Sequence, residues 1–244
     1  MGDTVFRDVA PRRPRAFIFD CDGTLLDSMG AWLDVEPRLL ASYGVPGLTQ
    51  ADFAEFEPLS VEDECEGYHR KWGVGASGAE VCDRLLGMLR EAYAEQVGER
   101  PGARAFLEAA AAAGIPCAVA TSTPADLVRA GLARNGMSDL VAGVTATAEA
   151  GRSKESPDVY DLALERTAAG APHGDVWVFE DAVFGLRSAG AAGYRRVGIF
   201  DPAGRFSRAE VEASCDIFIE GYDEGLLGRI LAARPAADGG FPRD

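Results

Sequence analysis

Short, uninterrupted apolar runs recur along the chain. The first is Ala16-Phe17-Ile18-Phe19, ending in Asp20. A run too short for a helix, with no alternating polar position, predicts a strand buried on both faces, as in parallel sheets. Similar runs at 115–120, 176–179, 197–200 and 217–219 predict four more strands. Between them the spacing turns helical at 103–113, where Gly114 stops it, at 124–135, at 157–168, and at 182–192, where Gly193 stops it. The alanines of 109–113 belong to the first of these, since alanine is the best helix former. Strands alternating with helices predict right-handed crossovers and a doubly wound α/β fold with a parallel, Rossmann-like sheet, whose ligand site lies at the carboxyl ends of the strands.

One stretch breaks the alternation. From Met29 to Gly98 the apolar positions keep helical spacing (Trp32, Leu33, Leu39, Leu40, Tyr43, then Val81, Leu85, Leu86, Leu89) without a comparable strand run. The chain therefore divides into an α/β core of residues 14–28 and 99–233 and a helical insert of residues 29–98, with 1–13 and 234–244 expected as flexible tails.

Composition narrows the function classes. Of 244 residues, 24 are Lys or Arg and 39 Asp or Glu, a net charge of −15. Such a field repels nucleic acid and anionic membranes, but not a small phosphorylated molecule, because salt screens exposed charge beyond ~8 Å. The five cysteines are widely spaced with no CxxC pair, as expected of buried thiols in a reducing compartment. Met1 to Arg15 lacks the apolar core of a signal peptide, and no segment reaches the ~20 apolar residues of a membrane span. A cytoplasmic protein, monomeric or weakly dimeric, is the expectation. Only Lys71 and Lys154 are lysines, so each invites a question.

Four places carry chemistry. Asp20-Cys21-Asp22-Gly23-Thr24 follows the first strand, and residues two apart on an extended chain point the same way, so Asp20 and Asp22 converge. Two adjacent carboxylates repel unless a cation or proton lies between them; Gly23 permits a sharp turn and Thr24 adds a hydroxyl. An ordinary turn with solvated acids is the alternative. Thr121-Ser122-Thr123-Pro124 follows the second strand, with Pro124 suited to the first helical position and Thr123 to the N-cap, so that a helix N-terminus and the Thr121 and Ser122 hydroxyls face the strand edge. Capping is the role expected of Thr123. Lys154, just before a helix at Pro157, is either a solvated surface lysine or a point charge for phosphate. Glu180-Asp181 closes another strand, and acids from two strands can meet at one hard cation, with oxygen-only ligation favouring Mg²⁺.

Asp20-Cys21-Asp22-Gly23-Thr24-Leu25-Leu26-Asp27-Ser28 resembles the first motif of the haloacid dehalogenase-like hydrolases. Thr121, Lys154 and Glu180-Asp181 stand where the second, third and fourth motifs fall, in order, over residues 16–200. The insert resembles the helical cap of the subgroup containing β-phosphoglucomutase and phosphoglycolate phosphatase. The resemblance implies an Mg²⁺-dependent phosphatase acting through an aspartyl-phosphate. Asp20 would be the nucleophile and Asp22 the general acid and base. Asp20, the Asp22 backbone carbonyl, Asp181 and, through waters, Glu180 would hold the metal. Gly23, Thr24, Thr121, Ser122 and Lys154 would bind the phosphate of a small phosphorylated metabolite, Thr121 and Lys154 also meeting the charge that develops on it.

A carboxylate at Asp22 points to phosphate esters, because dehalogenases and phosphonatases of the family lack it. A sugar phosphomutase is the alternative within the family, yet the arginine and lysine-asparagine pair that hold a second phosphate in β-phosphoglucomutase correspond here to Ser60-Val61-Glu62-Asp63 and Thr123-Pro124-Ala125, and the cap histidine to Trp32. A non-catalytic binding module on the same fold is the remaining alternative. The acids Glu55, Glu57, Glu62, Asp63, Glu64 and Glu66 form either a solvated helix face or a device selecting a neutral or cationic leaving group. His69 and Trp72 are expected to pack beside them, and His173 carries no expected function.

Overall fold

The computed structural model describes residues 5–6, 13–56 and 58–232, so most of the two expected tails and Glu57 lie outside the described residues. In chain order the elements are β1 (Val5–Phe6), β2 (Ala16–Phe19), β3 (Leu26–Asp27), α1 (Met29–Ser42), α2 (Gln50–Phe53), α3 (Val61–Trp72), α4 (Gly78–Glu95), β4 (Gly98–Glu99) and α5 (Ala103–Ala112). There follow β5 (Cys117–Thr121), α6 (Ala125–Arg134), β6 (Val144–Ala146), α7 (Thr147–Ala150), α8 (Asp158–Ala168), β7 (Val176–Glu180), α9 (Val183–Ala191), β8 (Arg195–Ile199), α10 (Arg208–Ser214), β9 (Ile217–Ile219) and α11 (Leu226–Ala232).

The main sheet runs β1-β9-β8-β7-β2-β5-β6. Its six strands from β9 to β6 are parallel, and β1 joins the β9 edge antiparallel. From central β2 the chain first builds outward through β5 and β6, then returns to β7, β8 and β9 on the other side. The carboxyl end of β2 is therefore the switch point where such sheets bind ligands. Successive residues of β2 face opposite layers: Phe17 and Phe19 join an aromatic stack with Phe106 and Phe179, while Ala16 and Ile18 pack with Val159, Tyr160 and Val178.

Local chemistry shifts several boundaries. The second strand starts at Cys117 because the Ile115 amide still closes α5 through the Ala110 carbonyl (3.0 Å). Strand β8 begins at Arg195, before the apolar run: Arg196 is pinned by Asp216, which accepts from its backbone amide (2.8 Å) and from Nη2 (2.7 Å). Strand β6, only Val144-Thr145-Ala146, is too short and too polar to stand out as a run.

The insert folds as α1 to α4, and the β3–β4 ladder (Leu26 with Glu99, Asp27 with Gly98) ties its two connections together. Ser60 and Ser77 cap α3 and α4, accepting from the Asp63 and Glu80 amides at 3.2 Å. Pro37 lies inside α1 and lacks the N–H that would bond the Leu33 carbonyl. Gln50 Nε2 donates to that carbonyl instead, at 3.2 Å.

Candidate active site

The chain leaves β2 through a tight loop in which the Leu25 and Leu26 amides both donate to the Cys21 carbonyl at 2.8 Å. Gly23 has φ +81°, and a Cβ there would lie 2.4 Å from Asp181 Oδ2, so the glycine is what lets the first loop approach the fourth. Asp20, Lys154 and Glu180 are 5%, 2% and 1% exposed. Lys154 Nζ pairs closely with Asp20 Oδ1 and donates to Glu180 Oε2 at 3.0 Å. Tyr160 also donates to Glu180, at 3.3 Å. Burial opposes the Lys154 ammonium, but the Asp20 and Glu180 carboxylates outweigh it and hold its pKa above the ordinary lysine range.

Asp20, Glu180 and Asp181 offer carboxylate oxygens all within 4.8 Å of one another. Loss of solvation, then repulsion from Asp20, push Glu180 up to about 8 and raise Asp181 well above the carboxylate range. Asp20 Oδ2 is buried with no hydrogen-bond partner. An all-oxygen cluster of mutually repelling acids with an unsatisfied oxygen fits a hard divalent cation.

Asp22 faces elsewhere. Ser28 Oγ (2.5 Å) and the Tyr93 hydroxyl donate to its Oδ1, and Thr123 Oγ1 donates to its Oδ2 at 2.8 Å. Burial and the Asp20 charge raise its pKa, and the three hydroxyls resist the rise. Trp32 Nε1 in turn donates to the Tyr93 hydroxyl at 2.8 Å, so α1 and α4 together position this carboxyl.

This corrects the expected N-cap: helix α6 starts at Ala125 with Pro124 as its cap residue, and the Thr123 hydroxyl serves Asp22 instead. The Thr123 amide donates to Thr121 Oγ1 at 3.0 Å. Thr121 and Ser122 line the same cavity as Asp20, Asp22, Lys154 and Glu180. Ser122 Oγ is a buried oxygen without a partner. Gly23 and Thr24, also expected to bind phosphate, are not among the residues that line the cavity, and Thr24 is fully buried.

The cavity continues toward the helical insert. There Glu36 of α1 is 2% exposed and accepts from Arg205 Nη2 through both oxygens, at 2.9 and 2.7 Å. Glu64 of α3, also buried, accepts from the Tyr68 hydroxyl. Among the described residues of the acidic stretch singled out in the sequence, Glu55, Glu62 and Asp63 are exposed and Glu64 lines the cavity. His69 Nδ1 donates to the Val74 carbonyl at 2.7 Å, Trp72 packs on Phe53 and Phe56, and His173 stacks on Tyr194.

Haloacid dehalogenase-like hydrolases, as a family model, match residues 14–193, which include every acid and hydroxyl of the phosphate side of the cavity. The chain belongs to this hydrolase family. It is 34% identical over 195 residues to the CbbY protein of Cupriavidus necator, covering 73% of this chain and 75% of that one. A phosphorylated carbohydrates phosphatase of Thermotoga maritima is 27% identical over 75% of this chain and 83% of its own. Among solved structures, CbbY of Rhodobacter sphaeroides in complex with phosphate superposes with a TM-score of 0.74 at 23% identity, covering 87% of this chain and 96% of that chain.

Sequence reasoning missed four residues of this hydrolase's site. Asp201 is 3% exposed, with Oδ1 held by Arg100 (2.9 Å) and Oδ2 directed at the Gly23 and Asp181 corner. Its position after β8 is the same positional signal that picked out Glu180 and Asp181. Tyr93, Glu36 and Arg205 come from two helices and a loop without motif spacing, and only folding brings them in.

Proposed function

We propose that this hydrolase is a phosphatase that cleaves a small phosphomonoester through an aspartyl-phosphate on Asp20. The observation that carries the reading is the convergence of Asp20, Asp22, Thr121, Lys154, Glu180 and Asp181, from four strand ends and loops, on one cavity. An Asp20 oxygen attacks phosphorus as the bond to the leaving oxygen breaks, and Asp22 gives that oxygen its proton. Water then attacks the aspartyl-phosphate, Asp22 takes its proton, and phosphate leaves with Asp20 restored. Thr121, Ser122 and Lys154 bind the phosphoryl oxygens and meet the growing charge. Asp20, Asp181, the Asp22 backbone carbonyl and Glu180 would hold a divalent cation, Mg²⁺ by the donor set, which neutralises the crowded anions when bound.

The helices of residues 29–98 act as a cap over this chemistry, excluding water and reading the leaving group. The Thermotoga relative's phosphorylated carbohydrates support a sugar-phosphate class for the substrate. The test is phosphate release from a panel of phosphomonoesters with Mg²⁺. Turnover well above the Asp20→Asn protein is expected on at least one; none above it on any overturns the reading.

A further inference from the structure

The cap side of the cavity carries its own charge pattern. Glu36, Glu64 and Arg205 face the space beyond the phosphate-binding hydroxyls, among Trp32, Val61 and Phe206. Arg205 is the one cation among them, and its Nη2 donates to both oxygens of buried Glu36. A second phosphate seated on Arg205 would have to displace Glu36 and leave that carboxylate buried against an anion. Glu64 adds a further negative charge, so among the described residues this half of the cavity presents two carboxylates and one guanidinium. Carboxylates only accept hydrogen bonds, so they reward a group that brings donors and repel one that brings negative charge.

We propose that Glu36 and Glu64 set this enzyme's substrate class. It takes monophosphates whose leaving group donates hydrogen bonds and carries no second anion, as polyols, sugars and amino alcohols do, and it discriminates against bisphosphates and phosphorylated acids. The inference rests on the phosphatase reading and narrows it.

The experiment compares kcat/KM of the full chain for glucose 6-phosphate, glycerol 3-phosphate and phosphoethanolamine with that for glucose 1,6-bisphosphate, 6-phosphogluconate and phosphoglycolate, with p-nitrophenyl phosphate as a reporter of the chemistry alone. The neutral or cationic group is expected to lead by ~10-fold or more, and Glu64→Gln and Glu36→Gln to shrink that lead several-fold. The ratio is the readout because partial misfolding or weaker chemistry lowers both terms alike. Turnover of p-nitrophenyl phosphate with the anionic esters preferred, or with a ratio that neither variant moves, overturns this inference and leaves the phosphatase standing. No turnover of any ester overturns both. Within the favoured group, a preference for phosphoethanolamine over the polyols assigns the donor to an ammonium, and the reverse to hydroxyls; either supports the inference.

Discussion

Two aspartates with one cysteine between them take different parts because different groups reach their oxygens. Asp20 meets Lys154 and keeps one oxygen unsatisfied, whereas Asp22 is held by Ser28, Tyr93 and Thr123 at an angle set by three hydroxyls. A general acid contributes about 10²- to 10⁴-fold, and mainly where the leaving group is a poor one. Asp22→Asn is expected to slow hydrolysis of alkyl phosphates within that range while sparing the first burst of p-nitrophenolate, whose departure needs no proton. An equal loss in both would deny Asp22 the acid role. Gly23 has its own constraint: alanine there would meet both a positive φ and Asp181 Oδ2 at 2.4 Å. Gly23→Ala is expected to raise the Mg²⁺ concentration for half-maximal activity by ~10-fold or more, as displaced ligand shells do, with the far-ultraviolet circular dichroism unchanged.

The helices of the insert meet closely at one point. A Cβ on Gly78, at the start of α4, would lie 2.6 Å from the Glu66 Cα of α3, so backbone would have to move. Gly78→Ala is expected to cost about 1–3 kcal/mol, seen as a lower midpoint in thermal unfolding; an unchanged midpoint would mean that α3 and α4 do not pack this closely. Strands β2, β7 and β9 were legible as uniform apolar runs because burial on both faces leaves a run unbroken. Strand β6 was not, because three residues that include a threonine make no run, and β8 lost its start because, at a half-buried strand end, Arg196 pairs with Asp216 and Arg195 Nε donates to the Gly174 carbonyl. The four motifs on the phosphate side were legible for a related reason: each sits directly after a strand or before a helix, where chain direction alone fixes its neighbourhood. The leaving-group side was legible only at Glu64, one of the acidic stretch, since Glu36, Tyr93 and Arg205 join it only through how the inserted helices pack on the core. Thr123 shows a finer limit: proline after threonine reads as a cap and first turn, yet the hydroxyl found a stronger acceptor in Asp22.

Across the whole molecule, charge and stability are linked at the carboxyl edge of the sheet. Asp20, Asp22, Glu180, Asp181 and Asp201 gather there, and Lys154 and Arg100 are the buried cations that answer them. Without further positive charge the folded state carries a repulsion that the unfolded chain relieves by separating these acids. A cation that binds the folded protein and not the unfolded chain stabilises it by RT ln(1 + [L]/Kd), about 2.7 kcal/mol at one hundred times Kd. Mg²⁺ is therefore expected to raise the melting temperature in a saturable way, and a chelator to return it to the cation-free value. Asp181→Asn separates repulsion from folding in general, because it removes one of the crowded charges while keeping nearly the same volume. That variant is expected to melt higher than the parent protein in chelator and to gain little from Mg²⁺, so that the two curves cross as the cation is added. A variant that melts lower in chelator and still gains the full increment would show that Asp181 supports the fold through its packing and takes no part in holding the cation.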